Sequence, residues 1–313
     1  MRNPFISVGI ILLLTCICII CANAQPVFDL AQVSCQYGPP TSVQQGSAGT
    51  EVNTFFTGFN APLRINPRNR IVLHTFYDRR RVDFEEEETV GGITLHHAGL
   101  PSRFDLQAAV LNTSFQHTLR DTSQNIVFAV SARHYASVGT PVSNLSVTPS
   151  AALLYTRRRS DRFAWKTGVY MSREFFGFFW LPLLGVDWQA GNRLWVWGIL
   201  PRHLVADYRL TPAWHLTLSY RGVTDSYRVG EKNWLAQLEG QLRIGNEFYI
   251  PHSPLVLVLE SGRSLFRNLR YYDAISVENI RPKASDSWYL RAGLNLRIIT
   301  NDAFGVPGGP KKK

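Results

Sequence analysis

Past its first two dozen residues the chain is almost free of cysteine. Cys16, Cys18 and Cys21 fall in the N-terminal leader and only Cys35 lies beyond it. No intrachain disulfide can then form, which excludes the small disulfide-stapled secreted domains. Long apolar runs are missing too. The longest after the leader, Phe175–Val186, is interrupted by Gly177, Pro182 and Gly185. A membrane-spanning helix needs about 20 consecutive apolar residues, so a helical membrane protein is excluded. Catalytic and metal signatures are scarce as well. There is no G-x-S-x-G elbow. Adjacent His96-His97 send their rings in different directions and make a poor chelate. The run Glu85–Glu88 has no spaced partners and reads as a solvated loop tip rather than a cation site. No metal and no cofactor are expected, and the chain reads as a non-enzyme.

What the leader contains is informative. Met1-Arg2 supply a positive start, Val8–Ile20 an apolar core of thirteen residues, and Ala22-Asn23-Ala24 a small-residue cleavage site. This is the pattern of a cleaved signal peptide over 1–24. No Cys follows the small residues that lipoprotein processing requires. Cleavage leaves about 290 residues, enough for one large β domain over 25–299, followed by a disordered basic tail over 300–313 rich in Gly, Pro and Lys. Losing Arg2 leaves 32 Lys and Arg against 23 Asp and Glu, a balance of +9. Export argues against nucleic acid as the basic surplus's partner. Outer-membrane lipid and lipopolysaccharide, or a small anionic solute, fit better.

The body of the chain carries the two-residue period of β-strands. Trp180 to Tyr220 holds five of the eight Trp and breaks into short strand-like runs separated by Ala190-Gly191-Asn192, Leu200-Pro201 and Thr211-Pro212-Ala213. In the strand from Trp214, residues Trp214, Leu216, Leu218 and Tyr220 share one face, and His215, Thr217, Ser219 and Arg221 the other. Trp234 to Ile244 and Trp288 to Ile298 alternate in the same way. Strands of about ten residues with one apolar and one strongly polar face are the pattern of a transmembrane β-barrel, in which alternate residues meet lipid. Connections after odd-numbered strands are mostly long and those after even-numbered strands mostly short, as in outer-membrane barrels. The expected fold is all-β, a single antiparallel up-and-down barrel. Fourteen strands can be counted. Twelve is the alternative, because a long loop is due at Leu200–Arg202 and only Leu-Pro-Arg is present.

The register sorts the side chains. Lys166, Asp207, Arg209, Arg221, Glu239, Arg243, Glu260, Arg291 and Arg297 are candidates for the lumen: six cationic groups against three anionic. They can bridge one another and stiffen the wall, or draw anions into a pore. Trp165, Trp214, Trp234 and Trp288 each stand on the apolar face at a strand's first turn, where an interfacial aromatic girdle would lie. His203, Asp207, His215 and Ser219 fall near one another across strands, yet a nucleophile–His–Asp set needs a hydroxyl in hydrogen-bond reach of the base. Isolated polar wall groups are the simpler reading.

Pro182, Gly185, Asp187, Trp188, Trp197, Pro201 and Tyr208 follow a pattern in which a P-L-x-G-x-D-W strand leads into a turn, a W-x-x-x-x-P strand and a Tyr-bearing strand. In these residues the chain resembles an uncharacterised outer-membrane β-barrel family of Bacteroidetes-type bacteria, a domain of unknown function. The resemblance covers about Glu51 to Ile298 and is specific only in this central part. It implies an outer-membrane barrel folded by the barrel-assembly machinery, and it supplies no catalytic residues. The chain departs from many barrels in running past Ile298 into a tail instead of ending on an aromatic residue. The reading is an integral outer-membrane barrel, porin-like and Gram-negative in setting, acting as a passive solute conduit or in a structural or surface-binding role. An outer-membrane barrel enzyme acting on lipid or peptide, or a secreted soluble β-protein, are the alternatives. The oligomeric state stays open.

Overall fold

The computed structural model describes residues 27–38, 50–84, 88–90, 93–95, 103–140, 146–174, 177–272, 277–280 and 288–299. The leader, the tail, Glu85–Glu87 and His96-His97 lie outside them. The elements are β1 (Val27–Gly38), β2 (Thr50–Arg64), β3 (Asn69–Phe84), β4 (Glu88–Val90), β5 (Ile93–Leu95), β6 (Arg103–Thr118), β7 (Gln124–Ser137), β8 (Val147–Ser160) and β9 (Phe163–Glu174). They continue with β10 (Gly177–Gln189), β11 (Leu194–Leu200), β12 (His203–Thr211), β13 (Trp214–Arg228), β14 (Trp234–Tyr249), β15 (Leu255–Tyr272), β16 (Val277–Ile280) and β17 (Trp288–Ile299). No helix occurs among the described residues.

Fourteen strands close an antiparallel up-and-down barrel in chain order. β4 and β5 form a separate hairpin, and β16 is added to the edge of β15. β17 pairs with β15 on one side and β1 on the other, from Val27↔Ile299 to Tyr37↔Leu290, and this seam completes the ring. The count is therefore fourteen. Closure matters because no strand edge can be left facing hydrocarbon. Both Val27 and Ile299 sit at the end that carries the short turns, which by the usual barrel rule faces the periplasm. At the turn joining β6 to β7, the Asp121 carboxylate accepts hydrogen bonds from the Gln124 amide and the Ser123 backbone N–H. These bonds hold its carboxyl below the usual carboxylate range.

Several strands run further than their sequence suggests. β2 continues through Pro62, because its pairing with β1 stops at Phe59 and a residue without an N–H costs nothing on a free edge. β14 does not turn at Gly245-Asn246 but runs on to Tyr249, since Phe248 keeps the outward phase of Leu242 and Ile244. The expected loop from Arg263 is strand as far as Tyr272. A bulge there lets Gly240 face Phe266 while Gln241 faces Ser264, which skips Leu265 and reverses the alternation. The expected loop over 173–181 is likewise mostly β10, which starts at Gly177.

The outside of the barrel is apolar. Leu153, Leu238, Ile244, Leu290 and Phe128 are 47–61% exposed, and similar exposed residues recur on every strand of the ring except β3, whose Ile71 and Leu73 are half-buried. A protein in water rarely exposes a contiguous apolar patch above a few hundred Å². A continuous belt is the surface of a barrel solvated by lipid.

Candidate functional site: the lumen

The register of the strands puts every second side chain inside. At the short-turn end the inner faces of β3, β6, β11, β12 and β17 enclose a cavity of about 480 Å³ whose lining includes His74, Asn112, Trp197, His203, Asp207 and Arg297. Arg297 anchors the seam of the barrel. Its Nε donates to Asp29 at 2.6 Å, it also bonds Glu247, and its guanidinium lies 5.6 Å from the centre of the Tyr249 ring. His215 Nδ1 lies 3.0 Å from Asp207 Oδ1, and its ring packs 4.5 Å from that of Tyr249.

Above the cavity the lumen narrows into a layer of paired charges. Arg267 bridges Glu239 at 2.9 Å, and Gln237 donates to the other Glu239 oxygen at 2.6 Å while accepting from Arg80. Arg80 also lies within ion-pair reach of Asp78 and Asp225. Arg243 and Arg291 share Glu260, and Arg243 lies 5.2 Å from the Tyr289 ring centre. One pocket in this layer, between Asp78, Arg80, Glu239 and Arg291, holds about 40 Å³, enough for one or two waters. Buried charges are tolerable here because each carboxylate has a cationic partner and further hydrogen bonds; an unpaired one would cost several kcal/mol.

A third layer, at the long-loop end, is apolar. Val52, Val82, Phe104, Leu106, Tyr135, Tyr227, Leu235 and Tyr271 form a buried cluster inside the ring. Tyr135 and Tyr227 pack with tilted rings 5.3 Å apart between centres, and Phe104 lies 6.4 Å from Tyr271. β13 bends across the barrel to reach β7, with which it forms a parallel bridge at Arg228↔Ala136. Among the described residues two layers thus lie across the axis, one of charge pairs and one of aromatic packing.

The sequence-derived candidates are found as follows. Lys166 is buried and donates to Asp187 at 2.7 Å. Glu239, Arg243, Glu260 and Arg291 lie in the charged layer, with Asp207 and Arg297 around the cavity below. Arg209 lies at the short-turn rim, where it donates to the Asn192 carbonyl at 2.9 Å. Arg221 stands across from His203 at mid-height and is exposed to the lumen. Trp165 and Trp214 begin strands at the short-turn end, Trp234 and Trp288 at the long-loop end; Trp214 is 40% exposed and Trp288 56%. Among the described residues no hydroxyl is hydrogen-bonded to His203 or His215. A buried Ser–His contact is found instead at His134 of β7, whose Nδ1 lies 3.1 Å from Ser146 Oγ.

Sequence reasoning missed Arg80, Arg133, Arg267, Asp225 and the packed pair Tyr135 and Tyr227. Arg80 was legible in principle, since it shares a phase with Asp78 and Val82. Arg133, which bridges Glu174 at 2.6 Å, was legible in the same way from its strand. Arg267 was hidden behind the bulge.

A closed ring of antiparallel strands, apolar without and polar within, defines an integral outer-membrane β-barrel. No family model and no curated protein sequence matches the chain. Among solved structures, an outer membrane channel from Pseudomonas putida F1 is 11% identical, with 88% of this chain and 97% of that chain covered and a TM-score of 0.45. The TodX monoaromatic hydrocarbon channel is 12% identical, with 87% and 88% covered and a TM-score of 0.36. OmpF from Salmonella typhi is 8% identical, with 87% and 97% covered and a TM-score of 0.32. At such identities nothing about this chain's solute follows from the likeness.

Proposed function

We propose that the chain is a passive, non-enzymatic conduit of the outer membrane whose axial path is shut in its outer half. The observation that carries this is the 480 Å³ cavity open beneath a charged layer whose pocket holds about 40 Å³. A purely structural barrel has no need of a chamber of about 480 Å³ lined by His74, Trp197 and His203. The wall network takes up most of the inner charge, so any attraction for a small anionic solute comes from the arginines left over. The Pro182–Tyr208 pattern shared with the Bacteroidetes-type family supports membership of that family. In this chain Asp187 of that pattern holds Lys166, and Pro201 forms the β11–β12 turn.

Liposome swelling with sugars of graded size tests the proposal. The parent protein should pass only the smallest solutes, slowly. Tyr135→Ala with Tyr227→Ala opens only the aromatic layer, so swelling should stay slow, whereas adding Glu239→Ala and Arg267→Ala opens the charged layer as well and should raise swelling rates several-fold. Free passage of disaccharides by the parent, or no increase in the fourfold variant, would contradict it.

A further inference from the structure

β11 and β12 are short, seven and nine residues, between neighbours of thirteen and fifteen. Their turn at Pro201-Arg202 lies at mid-height of the wall. β10 pairs with β11 only from Leu184 down, and β13 pairs with β12 only up to Arg221. Above that level, Gly177–Leu183 of β10 and Gly222–Tyr227 of β13 have no partner strand on these edges among the described residues, and β13 turns away to meet β7 at Arg228. The wall has a slot where two strands stop.

The slot lies at lipid depth. Thr224 on its β13 rim pairs with Leu238 of β14, which is 47% exposed on the apolar belt. Backbone donors and acceptors cannot be left bare in hydrocarbon; they are tolerated at that depth only along a water-filled space. The outward positions of this β13 rim are Gly222 and Thr224, small or polar where other strands carry Leu or Phe, and Ser226 beyond them is buried. The β10 rim is apolar on both faces, with Phe179, Leu181 and Leu183 inward and Phe178 and Trp180 outward at 76% and 68% exposure.

Charge completes the picture. Every carboxylate inside the described barrel has a basic partner. Arg202 and Arg221 do not have a carboxylate within ion-pair distance among the described residues. Both are exposed, and they adjoin where Gly222 N–H donates to the Arg202 carbonyl at 2.8 Å. Arg202 lines the cavity below, and Arg221 lines the narrow layer beside it.

We infer that the slot between β10 and β13 is a lateral opening to the membrane, and that it admits a single-chain amphipathic carboxylate. The tail lies along Phe179, Leu181 and Leu183, and the headgroup meets Arg202 and Arg221 at the roof of the cavity. This rests on the conduit reading and names its substrate class and its route: sideways from the outer leaflet, bypassing the closed axis.

The test uses the full barrel refolded in phosphatidylcholine vesicles and a diazirine-bearing long-chain carboxylate, with a diazirine-bearing phosphatidylglycerol in parallel. Adducts are mapped by peptide mass spectrometry after irradiation. Carboxylate adducts should concentrate on 177–184, 201–204 and 221–224. Labelling there should fall on the order of tenfold in Arg202→Gln with Arg221→Gln, the loss of charge-assisted contacts, and stay unchanged in Arg209→Gln. Adducts spread evenly around the belt, slot adducts indifferent to both arginines, or labelling by the phospholipid alone would overturn it. If the double variant does not refold, the adduct map of the parent decides. Sugar swelling is a separate readout, so a sealed slot on a conducting barrel is distinguishable from a barrel that conducts nothing.

Discussion

At the scale of single residues the barrel separates two solvents, and substitutions should obey the side they face. Leu238 points to lipid and Asn112 into the open cavity. Leu238→Arg should cost about 2–4 kcal/mol of barrel stability, and Asn112→Arg less than about 1 kcal/mol, read from urea unfolding in lipid. Equal costs would mean that the inner and outer faces are misassigned. Gln241 is a poor inner control, because it accepts a hydrogen bond from Arg243 and an arginine there would crowd like charges. The Lys166–Asp187 pair gives a second prediction. Both side chains are more than nine-tenths buried and 2.7 Å apart. Asp187→Asn strands the ammonium and should cost about 3–5 kcal/mol, whereas Lys166→Met with Asp187→Leu should recover most of that. A double variant as unstable as the single would show that the pair contributes net stability and that its loss is more than an orphaned charge.

At the scale of elements, the alternation of apolar and polar residues made the strands legible, and each of the fourteen candidates is a strand. The ends were harder to read. Periodicity is silent about a free edge that tolerates Pro62, and a bulge at Leu265 makes the continuation of β15 look like loop. The β11–β12 hairpin is the most informative case. A missing long loop at Leu200–Arg202 could mean one bulged strand; instead it marks a hairpin that stops half-way up. Two glycines make this possible. Gly198 has φ +147°, and a Cβ there would fall 2.4 Å from the His203 carbonyl; a Cβ at Gly222 would fall 2.2 Å from the Pro201 carbonyl. Gly222→Val should therefore unseat the turn at a cost of about 1–3 kcal/mol, visible as faster hydrogen exchange over 198–206 with β1–β3 unaffected. Uniform exchange across the barrel would contradict that local account. Of the lumen, the sequence showed which residues share an inner phase. It did not show who pairs with whom, because partners such as Arg291 and Glu260 or Arg80 and Gln237 meet only when the ring closes.

At the scale of the whole molecule, fourteen strands could enclose a wide aqueous pore, and this barrel fills its outer half instead. Charge pairs occupy the middle, Tyr135 and Tyr227 join β7 to β13 above them, and the space that remains opens toward the short-turn end. A filled outer half should govern how the refolded protein carries ions across a planar bilayer. It is expected to show rare, small single-channel steps, well below those of an open porin of similar strand number under the same salt. Steps as large and as steady as an open porin's would show that the axis is not closed and would contradict the central claim.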